Sequence, residues 1–226
     1  MNLFGYKSRR NPARPALSRA YGWMGGLWAG QSTGVPQSYE QQVRDAYLAN
    51  PVAQRACRII AEAVGSAPLQ GAEGHVLALV HSRSSGQALM EVLALHLLLH
   101  GNGYVQLIAG SDVPQADGST PPAELFALRP ERIAVDVDGR GWPRSYVYRA
   151  GPSEIRLPAE DALQRAGVIQ IRLQHPLDDH YGLGCLSAAA PAVALHNAAT
   201  RWNKGLLDNA ARPSGALVYD PGEAGA

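Results

Sequence analysis

The stretch Tyr181-Gly-Leu-Gly-Cys-Leu-Ser-Ala-Ala-Ala190, followed by His196-Asn197, Trp202-Asn203-Lys204 and Asn209-Ala-Ala-Arg-Pro-Ser-Gly-Ala-Leu-Val-Tyr219, decides how this chain is read. A glycine turn opens a helix from about Leu186 to Asn209, Arg212-Pro213-Ser-Gly215 stops it, and Ala216-Leu-Val-Tyr219 begins a strand. Leu186, Ala190, Val193, Asn197, Lys204 and Asp208 recur at roughly helical steps. The apolar set Leu186, Ala189, Val193, Trp202, Leu206 and Leu207 is interrupted by His196, Asn197 and Asn203. A helix filed into a monomer's core keeps one side more evenly apolar. Alanine-rich faces let helices approach closely, which suits contact with neighbouring copies of the same helix.

Working outward, Val168-Ile-Gln-Ile-Arg-Leu173 is a strand that leads through Asp178-Asp-His180 into this region. Upstream, Glu124–Leu128, Ile133–Val137 and Ser145–Arg149 read as strands, with Asp138-Gly139 and Gly141-Trp-Pro143 turning the second into the third. Tyr104-Val-Gln-Leu-Ile108 alternates as a strand should, after a helix from Ser85 to His100 that Gly101-Asn102-Gly103 ends. Asn50-Pro51 opens another helix: Asn is a good N-cap and Pro suits the first helical position. Val52, Cys57, Ile59, Ile60, Ala63 and Val64 give it a broad apolar face, and Gly65 and Pro68 end it. A short helix is expected over His75–His81. Helices, then strands, then a long helix make the fold class α+β.

Residues 1–40 differ in character. Lys7, Arg9, Arg10, Arg14 and Arg19 make them basic, Pro12, Pro15 and the glycines break any period, and Trp23 and Trp28 lack a local core. They read as an arm, either a solvated tail or a segment that orders against a neighbour.

Composition narrows the function. Charged residues are 17% of the 226 and the net charge is +1, so no basic excess marks a tight nucleic-acid binder. Cys57 and Cys185 are too few for a disulfide framework and read as free thiols. No apolar run is long enough for a membrane span. His96 and His100 share a helix face, but Leu97 stands where a zinc-protease helix needs Glu. Gly101-Asn-Gly103 and Gly182-Leu-Gly184 lack the third glycine of a dinucleotide loop and read as turns. Cys185 near His180 has no third orienting group, and the acidic pairs Glu160-Asp161 and Asp178-Asp179 read as solvated loop acids. No phosphate-binding loop of the Walker type is present. No metal, cofactor or catalytic residue is assigned.

Four phrases in order carry a family resemblance: Asn50-Pro-Val-Ala-Gln-Arg-Ala-Cys-Arg-Ile-Ile-Ala-Glu-Ala-Val-Gly-Ser-Ala-Pro-Leu69, Leu98-Leu-His-Gly-Asn-Gly-Tyr-Val105, Leu128-Arg-Pro-Glu-Arg-Ile133, and the stretch from Tyr181. Over about residues 40–219 the chain resembles the N-terminal part of portal proteins of HK97-type tailed phages and gene-transfer agents. It departs at Leu79-Val-His-Ser-Arg-Ser84, where the family favours an Arg-Pro-Asn phrase, at Gln170, near which many members have histidine, and at Gly182-Leu-Gly-Cys185, where Gly-Leu-Ser-Pro is common.

The resemblance implies a basic arm over 1–40, a wing domain over 41–182, the first stem helix over 183–210 and the start of a clip over 211–226, with the rest of clip, second stem helix and crown missing. It implies a non-enzymatic subunit of a homododecameric ring at one capsid vertex of a virion, assembled in the host bacterial cytoplasm. Double-stranded DNA would pass through the ring during packaging and ejection. The terminase large subunit, the head–tail adaptor and the major capsid protein would be partners. Asn197, Arg201, Lys204 and Arg212 are the candidates for the channel and stem, and Leu186, Val193, Trp202 and Leu206 for subunit packing. A fragment lacking its second stem helix is expected to assemble poorly and to expose an apolar stripe. The alternatives are a non-functional prophage remnant, a DNA-binding module using the arm with Arg201, Lys204 and Arg212, and a metal-dependent hydrolase using His96, His100 or Cys185.

Overall fold

The computed structural model describes Leu17 and residues 39–71, 73–84, 86–109, 122–159 and 166–209. The basic arm apart from Leu17 and Tyr39–Glu40, the start of the clip, Arg212 and the Glu160-Asp161 pair lie outside these residues. Helix α1 (Tyr39–Gln42) runs directly into a π-helical segment, Val43–Leu48, that the sequence reading did not anticipate. Then come α2 (Pro51–Ser66), α3 (Gly74–Val80), a two-stranded ribbon of β1 (Arg83–Ser84) and β2 (Gln87–Ala88), and α4 (Leu89–His100). The strands β3 (Asn102–Ala109), β4 (Pro122–Leu128), β5 (Ile133–Val137), β6 (Pro143–Ala150), β7 (Ser153–Pro158) and β8 (Val168–Arg172) precede α5 (Cys185–Asp208).

Two antiparallel three-stranded sheets, ordered β4-β3-β8 and β5-β6-β7, face each other. Strand periodicity sends Tyr104, Leu128 and Val168 from the first and Ile133, Val135 and Tyr146 from the second into one shared core. The rings of Tyr104 and Tyr146 meet edge-on at 5.8 Å. Pro130–Arg132 forms a single 3-10 turn that carries the chain from β4 in one sheet to β5 in the other. Asp138 closes the β5–β6 hairpin by accepting the Arg140 and Trp142 amides at 2.8 and 2.9 Å, and these bonds hold its carboxyl below the usual range.

The outer face of the first sheet carries α4. Leu89 and Leu93 pack on Val105, with Leu125 and Ala127 beside them. The helix is apolar on two sides because its other side is also covered: Leu95 and Leu99 join Ala46, Cys57, Leu186 and Val193 in a helical core. Its first turn was expected at Ser85 but begins at Leu89, because Gln87–Ala88 pairs with Arg83–Ser84 instead. Strand β7 was also not foreseen, since only Ile155 and Leu157 alternate there against charged neighbours.

Candidate functional site: the root and projecting half of the long helix

The two glycine phrases, far apart in sequence, meet. Gly101 ends α4 in the left-handed region at φ 83°, donating to the Leu97 carbonyl, as a helix-terminating glycine does. Gly182 and Gly184 were read as a turn, but Gly184 is extended, at φ −72° and ψ 143°. What both require is room. A Cβ on Gly182 would lie 2.1 Å from the Gly101 carbonyl oxygen, and one on Gly184 2.6 Å from that of Leu99. Backbone therefore rests on backbone where α4 ends and α5 begins, and opposite ends of the two helix dipoles are apposed.

Asn102, fully buried, fixes this contact. Its Oδ1 accepts the Gly182 amide at 2.9 Å and its Nδ2 reaches His100 Nδ1 at 3.1 Å. Gln170 completes the junction: its Nε2 donates to the His180 carbonyl at 2.8 Å, with the Tyr104 hydroxyl at 3.2 Å and Asn102 Oδ1 at 3.3 Å. Gln170 thus ties β3, β8 and the 174–184 linker together. The Tyr181 hydroxyl accepts the Val135 amide at 3.0 Å, joining the linker to the second sheet. Asp178, read as a solvated acid, accepts the amides of His180 and Tyr181 at 2.7 and 2.9 Å and shapes the linker instead.

A second fastening lies farther along α5. Asn50 caps α2 as expected, its Oδ1 accepting the Ala53 amide at 2.9 Å. Its Nδ2 reaches Asn197 Oδ1 at 2.8 Å and His196 Nδ1 at 2.9 Å, and Asn197 Nδ2 donates to the Asp45 carbonyl at 2.7 Å. The side chain is 1% exposed, so its polar atoms need these partners. The sequence identified the cap but gave no sign of the tie to α5, because the partners stand 146 and 147 residues away.

The residues singled out on α5 divide into two groups. Leu186 is buried against Ala46 and Leu99, Val193 packs on the same cluster, and Asn197 is held by Asn50 and Asp45, so these three face the chain's own body. Arg201, Trp202, Lys204 and Leu206 are exposed. Lys204 pairs with Asp208 at 2.6 Å, one turn on, while Arg201 lines a shallow groove with Asp45 and Asn197. From Ala198 to Asp208, about 16 Å at 1.5 Å per residue, every residue but Gly205 is exposed. Pro191 lies inside α5, where it cannot donate to the preceding turn, yet the helix continues through it.

Burial, the other histidine and Arg129 push the His96 imidazole down to about 4, and burial alone takes His100 there. Among the described residues no three His, Cys, Asp or Glu side chains are grouped to hold a metal. His180 is buried, whereas Cys185 is exposed on the first turn of α5.

The described residues thus form a two-sheet body, a helical layer and a long helix held at two points, with its second half exposed. Residues 51–225 match the family model described as "Phage portal protein", and the chain belongs to that family. The family and the matched particles are structural components of capsids rather than enzymes. The fold resembles a chain in the structure "Virion of native gene transfer agent (GTA) particle", with a TM-score of 0.68 and 36% identity over 91% of this chain and 52% of that one. It also resembles chains in "Neck of empty GTA particle computed with C6 symmetry" (0.67, 39%, 81% and 50%) and "Neck of native GTA particle computed with C12 symmetry" (0.67, 37%, 84% and 50%). Uncharacterised proteins of Rickettsia felis and Rickettsia bellii are 27% and 28% identical over 77% of this chain and 46% of theirs. The chain therefore spans about half the length of the proteins it matches.

Proposed function

We propose that this chain is a portal subunit, one of twelve that form a ring at a single capsid vertex, through which double-stranded DNA is packaged and later ejected. The observation that carries this reading is α5, rooted by Asn102–Gly182 and Asn50–Asn197 and then exposed over Ala198–Asp208 apart from Gly205. Its likeness to chains in a neck computed with C12 symmetry supports a closed ring of copies. In this reading residues 183–210 are the first stem helix, with Asn197 positioning it and Arg201 and Lys204 nearer the channel. Arg212 and the residues from 211 lead towards the clip, where the terminase large subunit and then the head–tail adaptor dock. The major capsid protein surrounds the wing. A net charge of +1 suits a conduit, since strong phosphate binding would retard translocation.

The test is a chimaera in which residues 39–209 replace the matching half of the gene-transfer-agent portal. DNase-protected DNA per particle is the readout, and portal incorporation into particles is measured alongside it. DNA-filled particles are the expected result. Particles that incorporate the chimaera as a ring but stay empty would remove DNA passage from the function, and a chimaera that never enters particles would remove the portal role.

A further inference from the structure

Helix α2 is packed the wrong way round for a helix that serves only its own chain. The side facing the body is lined by Ala53, Cys57, Ala61 and Gly65, four apart. A Cβ on Gly65 would lie 2.9 Å from the Glu91 Cβ of α4, so the small residues are used for close approach. The large apolar residues point away: Val52 is 64% exposed, Ile59 52% and Ile60 49%, and with exposed Ala56 and Ala63 they form one continuous stripe. Arg55, Arg58 and Glu62 pair among themselves on the far flank and put no charge into it.

Helix α5 carries a matching surface. Leu186, Ala190, Val193 and Asn197 face the body, and the opposite side reads Ala188, Ala192, Leu195, Ala199, Trp202, Leu206. These six are exposed and recur at steps of four and three, the spacing of a helix-packing seam. Alanines at 188, 192 and 199 leave hollows, and α2 offers the branched side chains of Val52, Ile59 and Ile60 to fill them. Neither stripe contains a charge, so their contact can be dry.

A chain cannot join its own two stripes. Asn50, at the head of α2, is bonded to Asn197 on the body side of α5. A helix diameter of about 10 Å separates that side from Leu195 and Trp202. Two different apolar faces that do not meet within the described residues of one copy, in a protein similar to chains of a neck computed with C12 symmetry, suit a head-to-tail contact that closes a ring.

We propose that the outward stripe of α2 docks on the outward stripe of α5 from the next copy of this chain. This rests on the portal reading but makes a separate claim about which faces meet. The test uses the full chain with Cys57→Ser and Cys185→Ser, bearing either Ala56→Cys on α2 or Ala199→Cys on α5, and a short bismaleimide as probe. Cross-linked dimers are expected when the two variants are mixed and not with either alone, and Ile59→Asp should reduce their yield at least about thirtyfold, the factor that accompanies loss of a hot-spot side chain. The unfolding midpoint of Ile59→Asp should match the parent, because the residue faces outward. Dimers with Ala56→Cys alone would overturn the pairing in favour of a symmetric α2 contact. A cross-link within single copies carrying both cysteines, or no mixed cross-link at all, would overturn it too. The chimaera is scored by DNA filling and portal incorporation, so the portal reading can stand while this pairing fails.

Discussion

Replacing Asn50 separates two jobs held by one side chain. As a cap, its Oδ1 accepts the Ala53 amide, and as a tie its Nδ2 serves Asn197 and His196. Asn50→Ala removes both. Loss of an N-cap costs about 1 kcal/mol, and loss of a buried hydrogen bond that strands its partner costs about 1–2 kcal/mol more. For a chain of this size each kcal/mol moves the midpoint by roughly 2–4 °C, so a fall of about 4–12 °C is expected. Asn50→Asp keeps the capping oxygen and puts a favourable charge at the helix N-terminus. It turns the donor into an acceptor facing Asn197 Oδ1, and Asn197 can answer with its amide only by releasing the Asp45 carbonyl. The aspartate should therefore recover the cap, and His196 can follow by presenting Nδ1 as a donor, but the bond to Asn197 is lost, leaving the variant about 1–2 kcal/mol below the parent. Thermal unfolding gives the totals, and hydrogen exchange locates the loss: both variants should exchange faster over 198–208, and only the alanine over the first turn of α2. Full recovery of stability and exchange by Asn50→Asp would refute the tie.

Three further outcomes follow from the same geometry. Gly182→Ala puts a methyl 2.1 Å from the Gly101 oxygen and 2.7 Å from that of Leu173, backbone atoms that cannot rotate away. It should cost about 3 kcal/mol or more by calorimetry, whereas Gly205→Ala, with nothing within 4 Å, should stabilise α5 by up to about 1 kcal/mol. Because His96 and His100 fall from 6.5 to about 4 on folding, the unfolded chain binds protons first as the pH drops. Stability should hold above pH 6.5, decline towards pH 4 and then level off, with His96→Leu flattening the slope in a series of denaturant midpoints. Exposed Cys185 should react with maleimide well before Cys57, whose thiol burial and the nearby Cys185 push up; equal rates would contradict the packing of α2 on α4.

Elements with a local signature were legible in the sequence. Asn50-Pro51, the Gly101 stop, the Asp138–Gly141 turn and the length of α5 each depend on residues within a few positions, so reading them required no tertiary knowledge. Sidedness was not legible. The apolar arc of α2 spans most of the helix, and pattern alone could not say that Ala53–Gly65 would be covered and Val52–Ala63 left open. The glycines were the more instructive case. A glycine needed for space leaves the same mark as one needed for a turn, and only the approach of Gly101 to Gly182 distinguishes them. Gln170 and Asn102 looked like ordinary strand polar residues, because the groups they satisfy come from a linker 10 and 80 residues away.

The spacing of the two fastenings bears on how α5 would transmit load. One contact at the root, Gly182 on Gly101, would let the helix pivot like a rod in a socket. A second at Asn197, eleven residues beyond Leu186, stands about 16 Å away at 1.5 Å per residue, and two separated points fix a direction. The polar tie is the weaker of the two, because it consists of a few hydrogen bonds worth about 1 kcal/mol each, while the root is close-packed backbone and buried Leu186. Strain on the projecting half should therefore release Asn50 from Asn197 before it disturbs the glycine contact, and the helix would swing about its root as a unit. Hydrogen exchange under mild denaturant distinguishes this from fraying. A swing frees the Asn50 and Asn197 side-chain amides together while the backbone amides of α5 and the capped Ala53 amide stay protected, and fraying opens α5 progressively from Asp208 inward.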